Sequence, residues 1–285
     1  MRIRDLASAG VVTIGLLAAS QAGAEIVYGV TQQQRLVTWD SANPGAILTG
    51  RSIMGLQVNE DVLGIDLRPA TGELFALGSF NRLYTINPAN GQATQVGGVF
   101  STPLNGSNFG FDFNPVIDRI RVVSNANNNY VLNPNTGGIT VATSLFFGAG
   151  DANNGLDPNV VHSAYTNSFA GATSTQLYGL DTGRDILVTQ ANSAGTLGTV
   201  GPVGTDLTEL GGFDISGATG TAYATIRDNT IVRSTFWTIN LQTGAGTMVG
   251  EVGGGEIITA MTVVPAPGVG LLAACGSLML TRRRR

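Results

Sequence analysis

Two strings of residues recur along this chain at intervals of roughly 45 residues, a period that narrows the possible folds sharply. The first string is Gly64-Ile-Asp-Leu-Arg-Pro-Ala-Thr-Gly-Glu-Leu-Phe-Ala-Leu77, which returns at Gly110 to Val123 and at Gly212 to Thr225. The second begins Leu83-Tyr-Thr-Ile-Asn-Pro and returns from Tyr130 and from Phe236, with a weaker copy at Leu36 to Asp40. Each string is two short segments rich in β-branched and aromatic residues, joined by an Asn-Pro, Thr-Gly or Asn-Gly turn. Such turns supply the left-handed backbone and local caps that hairpins need. No stretch between residues 25 and 264 shows a 3.6-residue apolar period. Two hairpins per period make four strands, the content of a propeller blade.

First strands centre on Ile65, Phe111, Ala164, Phe213 and Met261. The segment Ile26 to Val30 corresponds to Leu74 to Leu77, a second strand, so the repeat opens in mid-blade. It closes with a lone first strand, Ile257 to Val264. The expected fold is therefore an all-β propeller of five four-stranded blades, closed by pairing the N-terminal strands with the C-terminal one. That closure removes exposed edges. A six-bladed or irregular β-sheet assembly is the alternative. The fourth unit, about residues 159–201, diverges most.

The two ends follow another pattern. Arg2 and Arg4 precede an apolar core from Ala9 to Ala19, and Ala22-Gly23-Ala24 offers small residues for cleavage after Ala24. That is the layout of a secretory signal peptide. At the other end, Pro265-Ala266-Pro267-Gly268 leads into an apolar run to Leu280, then Thr281 and Arg282-Arg283-Arg284-Arg285. As a helix the run spans roughly 20 Å, short of about 30 Å of hydrocarbon, and the arginines favour the cytoplasmic side. The tail resembles the PEP-CTERM sorting signal of Gram-negative bacteria, cut near its proline motif by a protease of the exosortase type. Ala266 stands where that motif carries glutamate. The expected organisation is a signal peptide over 1–24, a propeller over 25–264 and a sorting tail over 265–285. The resemblance implies export, transient inner-membrane association through the tail, and delivery to the cell surface or extracellular matrix. Pro265 takes the place that Pro69 and Pro115 hold in the repeat, so the tail joins the closing strand with almost no linker.

Between those ends nine arginines face 18 acids, a formal charge of −9, and there is no lysine anywhere. Such a surface repels phosphate backbones, which excludes nucleic acid as a partner. The one cysteine, Cys275, lies in the tail, so the propeller has no internal disulfide and depends on its core.

The search for chemistry starts with His162, the only histidine. A His-based zinc site is excluded, and no Gly-x-Ser-x-Gly elbow accompanies it. It occupies the place of Phe109 in the repeat and reads as structural. Aspartates are the sharper question. Equivalent positions on the five first strands are Asp66, Asp112, Tyr165, Asp214 and Thr262, so Asp66, Asp112 and Asp214 form an acidic ring around the channel. Glycoside cleavage needs two carboxyl groups about 5 Å apart, or about 6.5–9.5 Å for inversion. The same aspartates precede turns, where Asp caps backbone N–H groups, and the structural reading is favoured. The loop Gly148 to Asn159 gathers Asp151, Asn153, Asn154, Asp157 and Asn159, hard oxygen ligands suited to calcium. Ordinary turn chemistry gives the same composition, as it does for Asn125 and Asn127 to Asn129. No other cofactor is expected. Arg119 and Arg121 alternate with Ile120 and Val122 and so share a sheet face. They are candidates for an anionic glycan, with an inter-blade salt bridge, and Asp118 nearby, as the plainer account. No P-loop is present.

The repeat also resembles an uncharacterised exported bacterial family, domain of unknown function 4394. The likeness rests on Gly110-Phe-Asp-Phe-Asn-Pro, Asp118-Arg-Ile-Arg-Val-Val-Ser124, Asn133-Pro-Asn-Thr-Gly137 and Gln176-Leu-Tyr-Gly-Leu-Asp181. It implies exported, repeat-built β structure and carries no activity with it. The expected function is a non-enzymatic binding or scaffold protein of the exopolysaccharide or biofilm layer, with polysaccharide or matrix proteins as partners. The alternative is a glycan hydrolase or lyase using the aspartate ring.

Overall fold

The computed structural model describes residues 24–264 apart from Asn229 and Ile231, so the expected signal peptide before Ala24 and the expected sorting tail from Pro265 lie outside the described residues. The first strands in the chain are β1 (Ile26–Thr31), β2 (Arg35–Asp40) and β3 (Asn43–Ser52). Blade two holds β4 (Val62–Leu67), β5 (Leu74–Gly78), β6 (Arg82–Asn87) and β7 (Gln92–Val96). Blade three holds β8 (Phe109–Asn114), β9 (Arg119–Ser124), β10 (Asn129–Leu132) and β11 (Ile139–Val141). Blade four adds a short β12 (Phe146–Phe147) outside β13 (Val160–Tyr165), β14 (Leu177–Asp181), β15 (Ile186–Gln190) and β16 (Thr196–Pro202). Blade five is β17 (Gly211–Ile215), β18 (Ala222–Asp228), β19 (Arg233–Ile239) and β20 (Gly246–Glu251), and the chain returns as β21 (Ile258–Val264).

The sheets pair in the order of a five-bladed β-propeller, and blade one is β21-β1-β2-β3. Met261 lies opposite Gly29 and Val263 opposite Val27, so strands from the two ends of the repeat close the ring. β12 is a parallel addition that pairs with β16; two residues give no periodicity by which to foresee it.

Apolar side chains fill the seams between blades. Phe75 of blade two meets Phe113 of blade three edge-on, with centroids 5.2 Å apart. Across the closing seam, Phe236 of blade five packs edge-on against Trp39 of blade one at 5.7 Å and stacks with Tyr223 at 5.3 Å. Glycines at the start of the repeated Gly-x-Asp string permit this approach. A Cβ on Gly64 would stand 2.5 Å from the Phe111 Cβ, and one on Gly212 would stand 2.6 Å from the Met261 backbone nitrogen. The outer hairpins turn on a repeated Asn-x-x-x-Gly unit. The Gly91, Gly137 and Gly244 N–H groups bond the carbonyls of Asn87, Asn133 and Asn240 at 2.8, 2.9 and 2.8 Å.

Gly64→Val therefore forces blades two and three apart. The expected cost is on the order of 1–3 kcal/mol or more, read as a lower urea midpoint with an unchanged slope. Truncation after Ile257 removes β21, and the expected result is loss of the cooperative unfolding transition by circular dichroism.

Candidate functional site

The inner strands β4, β8, β13, β17 and β21 run side by side around the axis, and near its end each presents a backbone N–H to a carboxyl group. Asp66 Oδ1 accepts the N–H of Leu67 at 2.7 Å, and Oδ2 accepts that of Phe113 in the next blade at 2.7 Å. Asp112 Oδ1 accepts the Tyr165 N–H at 2.9 Å. Asp214 Oδ1 accepts the Ile215 N–H at 2.6 Å, and Oδ2 that of Val263 at 2.6 Å. All five inner strands are thereby served by three carboxyl groups. Where the preceding blade lacks an acid, at Ala164 and Thr262, the next blade's aspartate caps its own strand.

Blade four is offset by one residue from the sequence reading. Ala164 lies opposite Tyr178 as Asp66 lies opposite Phe75, so Ala164 rather than Tyr165 holds the aspartate position. By the same register His162 matches Gly110 rather than Phe109. Blade four lacks the Gly-x-Asp string that anchors the alignment in blades two, three and five, and its register shift between Val160 and His162 has a counterpart in blade two between Val62 and Gly64.

Asp66, Asp112 and Asp214 each place an oxygen within 4.8 Å of the others, and all three are buried. Burial pushes the Asp66 carboxyl well up, with the Asp214 charge adding to it. Asp112 is raised well above the carboxylate range by burial and by both neighbours. Asp214 is pushed up to about 6, again chiefly by burial. The Thr262 hydroxyl sits 2.9 Å from both Asp66 Oδ1 and Asp214 Oδ2. It has one proton, so the second contact is a hydrogen bond when a carboxyl group supplies the other. Among the described residues this is the group of acids close enough to share a metal ion. Five N–H donors already aim at its oxygens, and the arrangement fits a proton-sharing clasp between blades. The cavity at this end, about 410 Å³, touches Asp66 alone of the three and is lined largely by apolar groups that include Pro69, Phe169 and Val264.

The other candidates separate. Arg121 is buried between blades three and four, where it donates to Asn129 Oδ1 at 2.7 Å and Ser193 Oγ at 3.2 Å. Arg119 donates to the Asp118 carbonyl at 2.8 Å. The Asp118 carboxylate instead pairs with Arg68 of blade two, which lowers its pKa. In the loop proposed for calcium, Asp151 is spent on the Asn153 N–H and on Thr199, while Asp157 accepts from Asn127 at 2.6 Å. The two carboxylates thus have separate partners rather than a shared focus. His162 is buried, its Nε2 3.0 Å from the Thr208 carbonyl. Burial lowers its pKa.

The opposite mouth of the channel is polar. A cavity of about 190 Å³ is lined by Gln32, Gln34, Asp61, Asn108, His162 and Glu209 over a floor that includes Leu63, Phe109 and Leu210. Glu209 gathers amides from three loops: Asn108 at 2.6 Å, Asn159 at 3.0 Å and Asn125 at 3.4 Å.

The family model described as Domain of unknown function (DUF4394) matches residues 35–262. The chain belongs to the DUF4394 family. No curated protein matches it. Among solved structures it is similar to a chain of the nidogen/laminin complex, 9% identical with a TM-score of 0.51, covering 85% of this chain and 98% of that one. It is also similar to the hydrazine synthase of Kuenenia stuttgartiensis, 12% identical with a TM-score of 0.42, covering 70% of this chain and 53% of that one. At such identity the first likeness speaks for the fold alone.

Sequence reasoning found the acids of this DUF4394 propeller but missed its mouth. Gln32 sits in the turn between β1 and β2, and Asp61, Asn108 and Glu209 just before inner strands; they share no motif.

Raised carboxyl pKa values bind more protons in the folded than in the unfolded chain. Their stabilisation is full below the unfolded value near 3.8 and is lost as pH rises through about 6, the Asp214 value, and beyond. The melting temperature is expected to fall between pH 5 and pH 8, and Asp112→Asn, which keeps an acceptor for Tyr165, is expected to flatten that slope. Comparing wild type with variant by calorimetry at each pH cancels the opposing contribution of His162.

Proposed function

We propose that this protein is an exported, non-enzymatic β-propeller of the cell surface or extracellular matrix that binds polysaccharide at its polar mouth. One observation carries the reading: the buried aspartates are engaged in hydrogen bonds that hold neighbouring blades together. Their separation matches a retaining glycosidase, yet a sugar would have to displace those bonds to reach two of them. The accessible chemistry lies at the other end, where amide and carboxylate groups above an apolar floor suit hydroxyl-rich rings.

Delivery follows from the ends of the chain. Cleavage after Ala24 leaves Glu25 first, and the Glu25 side chain is buried, accepting from Thr219 at 3.1 Å and Tyr223 at 3.2 Å in blade five, as well as from Ser216. The new N-terminus is thus part of the closing seam. At the other end, Pro265, Ala266 and Pro267 follow β21 directly, so an exosortase-type cut is tolerated only beyond Val264. Intact mass of the exported protein is expected to begin at Glu25 and to end at or after Val264; an end upstream of Met261 contradicts the assignment.

Incubation with neutral, basic and acidic polysaccharides is expected to give binding without turnover. Asp112→Asn is expected to leave binding within about twofold, because the acid is remote from the mouth. Product release that disappears in Asp112→Asn would sink the binding reading in favour of a hydrolase or lyase.

A further inference from the structure

The mouth has an unbalanced charge. Glu209 is held by three neutral amides, and the Asp61 carboxylate across the cavity makes no hydrogen bond or ion pair among the described residues. Neither acid belongs to any of the salt bridges, which join Arg35 to Glu256, Arg68 to Asp118, Arg184 to Asp181 and Arg233 to Glu251. No arginine lines the cavity, and Arg227, whose N–H bonds the Leu210 carbonyl at 3.2 Å, stands outside the lining. His162, the remaining basic group there, is kept neutral by burial. Two acids over an apolar floor of Leu63, Phe109 and Leu210 set up a negative field in a partly dry cleft, where it acts more strongly than in open water.

The uncharged groups narrow the ligand further. Gln34 uses its Oε1 to accept the Val62 N–H at 2.8 Å, which leaves its amide N–H groups for a ligand. Asn108 spends its amide nitrogen on Glu209 and Ser107 and keeps its carbonyl oxygen. The rim therefore offers both a donor and an acceptor. Below it, a smaller cavity of about 20 Å³ shares Leu63, Phe109, His162 and Thr259 with the mouth. It is lined by Ser163, which is 2% exposed and whose Oγ has no hydrogen-bond partner. That hydroxyl offers a seat for one hydroxyl group or water.

We propose that the mouth binds a hexosamine unit with a free amino group, its ammonium between Asp61 and Glu209 and its hydroxyls on Gln34, Asn108 and the Ser163 cavity. This rests on the polysaccharide-binding reading and names the sugar. The compact cavity accommodates one six-membered ring, and its polar rim matches a ring of hydroxyls better than the plain methylene stem of a lysine. Uronic acids are repelled by the same two carboxylates.

Isothermal titration of the full chain with four probes tests the assignment: oligomers of glucosamine, of N-acetylglucosamine and of glucuronate, and oligolysine. The glucosamine oligomer is expected to bind at least about tenfold more tightly than its N-acetylated form, with glucuronate and oligolysine weaker still. Asp61→Asn is expected to erase that tenfold preference, read as the ratio of the two affinities in the same variant. Asp61 is exposed and its side chain holds no other part of the fold, so its variant folds; matching melting curves verify this. Equal affinity for acetylated and free amines overturns the ammonium assignment and leaves polysaccharide binding standing. Preference for glucuronate or oligolysine also overturns it. Failure of every sugar to bind removes both.

Discussion

Five backbone N–H groups near the axis need acceptors where water has no room, and the rest of the propeller depends on meeting that need. An unpaired N–H in such a place costs about 1–3 kcal/mol. Asp66, Asp112 and Asp214 meet it with five of their six oxygens. Three of those bonds cross from one blade to the next, so the acids act as clasps between sheets that share no β-ladder. The same closeness that makes them good clasps places three carboxyl groups within 4.8 Å, and mutual repulsion in a dry site is relieved by keeping protons. Structure and titration are two sides of one arrangement.

The glycine two residues before each of these aspartates belongs to the same device. Removing the side chain at Gly64, Gly110 and Gly212 brings the next inner strand close enough for the carboxyl group to reach its backbone. In blade four the pair becomes His162 and Ala164, and a small cavity lies beside Ser163, sharing Leu63, Phe109, His162 and Thr259 with the mouth. The Gly-x-Asp pair is kept in the three blades that supply the clasps and lost in blades one and four.

The two ends of the channel have opposite characters for a topological reason. Connections between first and second strands, and the exit of β21 toward Pro265, fall at the end with the clasps. Connections from one blade to the next fall at the other, and there six separate segments line one mouth. Ring closure by β21 sets both at once, because it seals the seam beside Glu25 and fixes the point from which the tail leaves.

The repeat alone determined the four main strands of each blade, the five-blade count and the closure between Ile26–Val30 and β21, because hairpin turns and β-branched segments are local signals repeated in phase. It also marked Asp66, Asp112 and Asp214 as equivalent. Their role was decided only by the tertiary structure, since whether a carboxyl group faces a substrate or the next blade's N–H depends on how the sheets are rotated about the axis. The same holds for Arg121, whose alternation with Ile120 and Val122 set its sheet face without revealing that another blade covers it. Tyr165 and Ala164 exchanged places because blade four has no Gly-x-Asp string by which to align it. Asp61 and Glu209 come from connections 148 residues apart in number, and nothing local links them; the closed ring brings them to one cavity.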